Sequence, residues 1–294
     1  HQLRRVRYEH KAEALTWTEV AAQMQEAGQA MAVVNTRKDA QALFAELPEE
    51  GRVHLSTNLC PAHRRQVLAE VRRRLEAGEP CLLATTQLVE AGVDLDFPLV
   101  LRAIGPMERI VQAAGRCNRE GKQAEGTAII FTPAQGGIPP GSYQTGSHVA
   151  GMLLNSDPDL DLNDPAVHEL YFSRLYQGVD LDAEQIEKLR ERLDFPAVAE
   201  AYRLIPEDTV AVAVPWGGAE SLLSEIEAAR HVTRHDLRRL QPFFVNLQRR
   251  DHERARKAGL VKEVLQGSGL WRWEGRYDYN HLGLQWEDTT PSCI

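Results

Sequence analysis

The densest chemistry in the chain sits in one run of eight residues, Gln112-Ala113-Ala114-Gly115-Arg116-Cys117-Asn118-Arg119. If the run is helical, Gln112, Arg116 and Arg119 point within an arc of about 60°. One amide and two guanidiniums then share a face. Arginine is a planar, permanently charged fork that matches phosphate oxygens. Gly115 falls inside the expected helix, where glycine costs roughly 1 kcal/mol against alanine. A local rule broken in this way suits a close backbone approach to a ligand. The same spacing also describes a solvated arginine face on an ordinary helix, and geometry alone leaves the two readings level.

A second run, Leu82-Leu83-Ala84-Thr85-Thr86-Gln87-Leu88-Val89-Glu90-Ala91-Gly92-Val93-Asp94-Leu95-Asp96, begins as a strand and then turns. Gly92 and Asp94 lie in the loop that leaves the strand's C-terminal edge, where open α/β sheets bind ligands. Asp94 can equally be a turn carboxylate. Other features carry less. Arg64, Arg65, Arg72, Arg73 and Arg74 flank one helix, where a solvated face is the plainer reading. Between Arg230 and Arg256 there are eight arginines and three acids, a DNA-facing patch or a docking surface. Trp271, Trp273, Tyr277 and Tyr279 can stack bases, but their alternation fits a strand with one face in a core better. His235-Asp236 stands without further ligands, and the ten histidines show no ligand spacing, so no metal site is expected.

The elements that must position these residues alternate. A helix over Thr16–Ala27 is stopped by Gly28. Ala30–Asn35 is a short apolar run bounded by turn-formers, which predicts a buried parallel strand. Thr36 can cap a helix to Leu47. Val53–Leu55, Cys81–Ala84, Leu99–Ile104 and Thr127–Phe131 are expected strands. Pro61–Ala77 and Met107 to about Arg119 are expected helices. This βαβα order with short connections predicts a parallel sheet with helices on both faces. The Gly- and Pro-bearing stretch Pro133–Gly146 reads as a loop. Asp182, with Gln185 three residues on, is a capping box for a charged helix to Leu193. Thr209–Val214 and Phe243–Leu247 read as strands and Ala219–Arg230 as a helix. The divisions expected are an α/β lobe over 14–146, a mostly helical linker over 147–202 and a small mixed C-terminal domain over 203–294.

Bulk properties bound the rest. With 294 residues, 43% of them hydrophobic and 26% charged, the chain has the make-up of a globular protein with about two domains. A net charge of −8 argues against a whole-surface nucleic-acid binder, though a local groove can still be basic. Cys60, Cys81, Cys117 and Cys293 form no CxxC pair, which suits a reducing cytoplasm. No run of about 18 apolar residues exists to span a membrane. Without an apolar leader or a starting Met, His1 is expected to begin a fragment or a processed chain.

Together the two runs resemble motifs V and VI of superfamily 2 helicases. The longer pattern, Glu90-Ala91-Gly92-Val93-Asp94-Leu95-Asp96-Phe97-Pro98 followed by Gln112 to Gly121, is most similar to the helicase-nuclease of type I CRISPR systems, of the I-C subtype by its wording. Asn35-Thr36-Arg37 resembles motif IV. His54-Leu55-Ser56 with Cys60-Pro61-Ala62-His63-Arg64-Arg65 resembles the next motif. The match is firm over about 30–131 and weaker through Asp208-Thr209-Val210 and Arg239-Leu240-Gln241.

This resemblance implies a RecA-like lobe. It makes Arg116 and Arg119 arginine fingers that reach ATP on another lobe, with Gln112 placing water or bracing the site. Gly92 and Gly115 would approach the nucleotide by backbone, and Asp94 would meet its ribose. Single-stranded DNA would contact Asn35, Thr36, Arg37, Ser56, Arg64, Arg65, Thr85 and Thr86, although Thr85 or Thr86 alone can also be a plain strand end. The sequence contains neither the G-x-x-x-x-G-K-[ST] loop nor a D-E-x-H-type acidic motif. Magnesium and the phosphate cradle are therefore expected on a first RecA-like lobe. An HD nuclease domain and an RNA-guided surveillance complex are the further partners implied. The expected function is a share in ATP-driven translocation and unwinding of target DNA. The alternatives are another superfamily 2 DNA or RNA helicase lobe, or a non-catalytic docking fragment.

Overall fold

The computed structural model describes residues 5–90, 92–157, 160–178, 182, 185–202 and 208–286. The first unit runs β1 (Val6–His10), α1 (Trp17–Ala27), β2 (Gln29–Val33), α2 (Arg37–Glu46), β3 (Arg52–Leu55), α3 (Pro61–Ala77) and β4 (Cys81–Thr85). It continues through β5 (Leu99–Ala103), α4 (Met107–Ala114), β6 (Gly126–Phe131), α5 (Ser142–Ser156) and α6 (Pro165–Gln177). The six strands form one sheet in the order β1-β6-β5-β2-β4-β3, every neighbouring pair parallel. This is the expected parallel sheet with helices on both faces.

The central strands are apolar throughout because both of their faces are covered. Every residue of β4 is buried. On one face α1 and α2 place Val20, Met24, Leu43 and Phe44 against Ala30, Ala32 and Leu101. On the other, α3 and α4 place Val67, Val71 and Ala113 against Met31, Val33, Leu83 and Val100. Local signals agree with this packing. Thr16 and Glu19 make a reciprocal capping box on α1. Pro61 opens α3, and Gly78 ends it in the left-handed region.

Three expectations need correction. The sheet takes in β1, upstream of residue 14, and pairs it in parallel with β6. Helix α5 begins at Ser142, so the boundary drawn at 146 falls inside a helix. Helices α5 and α6 bury Val149, Leu153, Leu154, Val167 and Tyr171 against Ile104, Met107, Ile110 and Ile130. Residues 142–177 therefore cover the sheet rather than link it to something else. The third correction is to α4, which stops at Ala114 instead of running on towards Arg119.

Two short helices with no buried residue follow, α7 (Ile186–Glu191) and α8 (Phe195–Ala201). Asp182 accepts from the amides of Ile186 and Glu187, but Gln185 takes the N-cap position in place of a capping-box partner. The C-terminal unit comprises β7 (Thr209–Ala213), α9 (Ala219–Ala229), α10 (Arg234–Leu240), β8 (Phe244–Gln248), α11 (Arg249–Lys257), β9 (Val261–Glu263), β10 (Trp271–Trp273), β11 (Tyr277–Asp278) and β12 (Gly283–Leu284). Its main sheet is mixed, in the order β8-β7-β10-β9. Trp273 and Tyr277 lie in its core with Val212, Val245 and Leu247, whereas Tyr279 is exposed. Cys293 lies outside the described residues. Among those residues no helix is long and apolar enough to cross a membrane.

The hairpin β11–β12 fastens this unit to the lobe. The Leu284 amide donates to the Asn58 carbonyl at 2.9 Å. A Cβ at Gly283 would collide with that same carbonyl, so the position admits only glycine. The Tyr277 hydroxyl accepts from the Cys60 amide at 3.3 Å and lies 3.0 Å from Nδ1 of His63. The His63 ring stacks on Trp216, centroids 5.2 Å apart.

His54 and His63 are both buried here, and burial pushes each pKa down to about 4 from 6.5. The unfolded chain then binds these protons more tightly than the folded one. The stability is present above the ordinary histidine value and is lost as pH falls from 6.5 towards 4. Urea unfolding at a series of pH values should lose on the order of 1 kcal/mol per pH unit for each histidine across that window. His63→Gln should flatten the slope; an unchanged slope in both His63→Gln and His54→Gln would contradict this assignment.

Candidate functional site

Strand β4 ends at the C-terminal edge of the sheet, and the parallel strand β5 starts at the N-terminal edge. Residues 86–98 must therefore travel the height of the sheet. They do so with one short 3-10 turn, Gln87–Val89, and a left-handed Gly92 at φ +71°. At the bottom, Phe97 pairs with the turn after α4: its amide donates to the Arg116 carbonyl at 2.9 Å, and its carbonyl accepts from the Asn118 amide at 3.0 Å. Ala91 lies outside the described residues.

This pairing gathers the basic residues. Arg116 is half-buried; Nε donates to the Val89 carbonyl and Nη2 to the Glu90 carbonyl, each at 2.9 Å. A guanidinium has five N–H donors, so more than half remain. Arg119 is exposed, with Nε 3.2 Å from Oδ1 of Asp94. The Arg119 amide donates to Oδ1 of Asp96 at 2.7 Å. The Arg119 carbonyl accepts from Arg5 at 2.9 Å. With side chains 45% and 77% exposed, the Arg119–Asp94 pair is a weak surface pair that a phosphate can displace. Gln112 is exposed on the last turn of α4.

The three side chains do not share the one helix face that the spacing predicts, because α4 ends at Ala114. Gly115 caps α4 from outside instead of sitting within it. Asn118 then turns the chain at φ 45°, a left-handed conformation that asparagine tolerates. Its amide group also clamps the turn, accepting from the Gln123 amide at 3.0 Å and donating to the Gln123 carbonyl at 2.9 Å. The reversal is what returns the chain to the foot of β6.

At the opposite edge most of the expected DNA contacts are structural. Thr85 is fully buried and its hydroxyl donates to the Leu55 carbonyl at 2.9 Å. Ser56 is fully buried against His54, Oγ to Nε2 2.9 Å. Thr86 is buried. Asn35 is buried, donating to the Ile104 carbonyl at 2.8 Å. Thr36 accepts from the Asp39 amide at 3.1 Å and caps α2. The side chains of Asn35, Ser56 and Thr85 cannot reach a strand without breaking a hydrogen bond.

The arginines behave differently. Arg37 reaches Oδ1 of Asn58 at 2.9 Å and lies 3.8 Å from Asp251. Arg64 is half-buried, and its Nε is buried with no hydrogen-bond partner. Both line a groove of about 610 Å³ between the lobe and the C-terminal unit, walled by Thr57, Thr209, Asn246 and Gln248. No carboxylate is among its lining residues. Arg65 is exposed and is not among them.

Four residues with no role in the sequence-based site belong to its framework: Asp96, described above, and Glu90, Arg102 and Tyr143. The Glu90 carboxylate is fully buried, 3.1 Å from Arg102 Nη2 and 3.3 Å from Arg109 Nη1. Burial raises its pKa above the ordinary carboxylate range, and the two arginines oppose that. Arg102 is itself buried and donates to Oδ1 of Asn35 at 2.9 Å and to the Tyr143 hydroxyl at 2.7 Å. A charged residue inside the apolar strand Leu99–Ala103 was the available signal, since such a group must be paired.

Residues 26–122 match a family model described as CRISPR-associated nuclease/helicase Cas3, C-terminal. That segment is similar to the C-terminal part of Cas3 nuclease/helicases. Cas3 of Haloferax volcanii is 37% identical over 139 residues, which cover 38% of this chain and 15% of that protein. Cas3 of Methanothermobacter thermautotrophicus is 31% identical over 105 residues, 34% of this chain and 13% of that one. The matched part is thus a small share of the length of these Cas3 proteins. The crystal structure of T. fusca Cas3 superposes with a TM-score of 0.57 at 15% identity, over 92% of this chain and 39% of that one. That likeness extends the shared Cas3 fold beyond the lobe into the C-terminal unit.

Asn118→Ala removes the clamp and strains the backbone, so it should destabilise the lobe by roughly 1–3 kcal/mol. Asn118→Gly should recover the backbone part of that loss. Urea midpoints for the two variants test the order, and an alanine variant as stable as the wild type would rule the clamp out.

Proposed function

We propose that this chain supplies the second half of an ATP site in a Cas3-type translocase that moves on single-stranded DNA and unwinds target DNA for a linked nuclease. The observation that carries the reading is that the crossing segment holds both arginines, Arg116 on the Val89 and Glu90 carbonyls and Arg119 beside Asp94 at the exposed foot. Arg119 is held by its backbone and bound only weakly by its side chain, which suits a finger that must leave a carboxylate for a phosphate. Arg116 is fixed more firmly and keeps donors to spare. Gly92, on the crossing segment, and Gln112 and Gly115, at the end of α4, are assigned to the nucleotide side with them.

The chemistry required of the chain is charge stabilisation as a terminal phosphoryl group departs. ATP would be cradled by a first RecA-like lobe, which would also hold magnesium. T. fusca Cas3 is described in forms with ATP, ADP and AMPPNP, in keeping with a nucleotide between two lobes. Another structural relative is a CRISPR RNA-guided surveillance complex before nicking, so such a complex is the proposed recruiting partner, with an HD nuclease domain as the cutting one. Residues 5–177 form the motor part in this reading, and 208–286 a docked cover.

The groove is the proposed strand path. Arg37 and Arg64 would meet phosphates there, while the buried Asn35, Ser56, Thr85 and Thr86 would act only by holding the lobe's own loops. Single-stranded DNA affinity should fall with salt, and Arg64→Ala should lower the slope of log K against log salt by about one. An unaltered slope and affinity would remove Arg64 from the path.

The chain alone should hydrolyse no ATP. Combined with its first lobe it should do so, faster with single-stranded DNA. Arg119→Ala in that enzyme should lower kcat by about a hundredfold or more, with little effect on DNA affinity. Turnover by the chain alone, or a normal kcat in the variant, would place the catalytic groups elsewhere.

A further inference from the structure

We infer that Glu90 and Arg102 are positioning residues through which strand binding at the groove sets Arg116; this rests on the ATP-site reading above. Glu90 is engaged twice. Its side chain, with no exposed surface, straddles Arg102 and Arg109. Its own carbonyl and that of Val89 accept the two donors of Arg116. The position of Arg116 is therefore the position of peptide 89–90, and that peptide is held by the carboxylate.

The other end of the chain of contacts reaches the strand edge. Arg102 donates to Oδ1 of Asn35, two residues before Arg37 at the groove. Asn35 is gripped further by the Tyr143 hydroxyl at 2.8 Å and, through its carbonyl, by Gln87 Nε2 at 2.8 Å. A strand that draws on Arg37 therefore pulls on Asn35, then Arg102, then Glu90, then Arg116. The first link is the backbone from Arg37 to Asn35, and the others are hydrogen bonds or an ion pair.

Packing alone does not call for this arrangement. A buried ion pair pays heavily in desolvation, and apolar groups of equal volume hold a core as well or better. What the pair adds is a fixed geometry with two anchored ends.

The test uses the two-lobed ATPase, with and without single-stranded DNA. Glu90→Gln keeps the shape and removes the charge; Arg102→Lys keeps the charge and removes the fork. Each should cut the DNA-stimulated kcat about tenfold, while the KM for ATP and the DNA Kd move less than about threefold. A purely structural role would instead shift Tm and all parameters together. Tyr143→Phe removes one hydroxyl at the margin and tolerates folding if the buried variants do not. It should lower stimulation, and its effect should not add to that of Arg116→Lys, since the two lie on one path. Normal stimulation in Tyr143→Phe, or simple additivity, overturns the inference. An unmutated enzyme that hydrolyses ATP without any response to DNA would instead overturn the functional reading.

Discussion

A parallel sheet obliges each connection to retrace the length of a strand before the next can begin. In most of this lobe a helix makes the return. Between β4 and β5 an almost bare segment makes it, and the candidate site depends on that segment. With little hydrogen bonding of its own, it offers backbone carbonyls and short side chains to whatever lies beside it. Gln87 ties its top to Asn35, Val89 and Glu90 take Arg116 midway, and Asp94 and Asp96 take Arg119 at its foot. A helical return would have spent those carbonyls internally.

Electrostatics follow from the same economy. In a chain of net charge −8, the two candidate fingers are steered mainly by neutral backbone oxygens and one surface carboxylate. Such partners hold a guanidinium without satisfying it. Arg102 is the opposite case, buried and paired with a buried carboxylate. The groove follows a third pattern, with two arginines among amides and hydroxyls and no acid in its lining.

How much of this could be read from sequence depends on burial. Strands β2 and β4 announce themselves because both faces are covered and the residues are apolar without a break. Strand β1, Val6-Arg7-Tyr8-Glu9-His10, lies at the sheet edge with half-buried residues, and its mixed composition resembles a loop. Helix α5 was masked by the glycines and prolines just before it. The arginine motif was legible as chemistry but not as geometry, because a helical spacing cannot register that Asn118 turns left-handed. Thr85 misled in the reverse sense: its hydroxyl suits a phosphate, yet its place at the end of a central strand commits it to the Leu55 carbonyl. Arg102 was visible as a charge in an apolar run, and only the fold supplies its partners.

The clasp between the lobe and the hairpin joins residues far apart in the chain. Cys60 and Tyr277 are separated by 217 positions. At roughly 5–20 residues per second, the ribosome delivers Tyr277 on the order of 7–30 s after Phe131, the last residue of the lobe's sheet. For that interval a finished sheet carries an uncovered patch at the start of α3, with the imidazole of His63 and the thiol of Cys60 open to water. The C-terminal unit thus completes the surface of a lobe that is made before it.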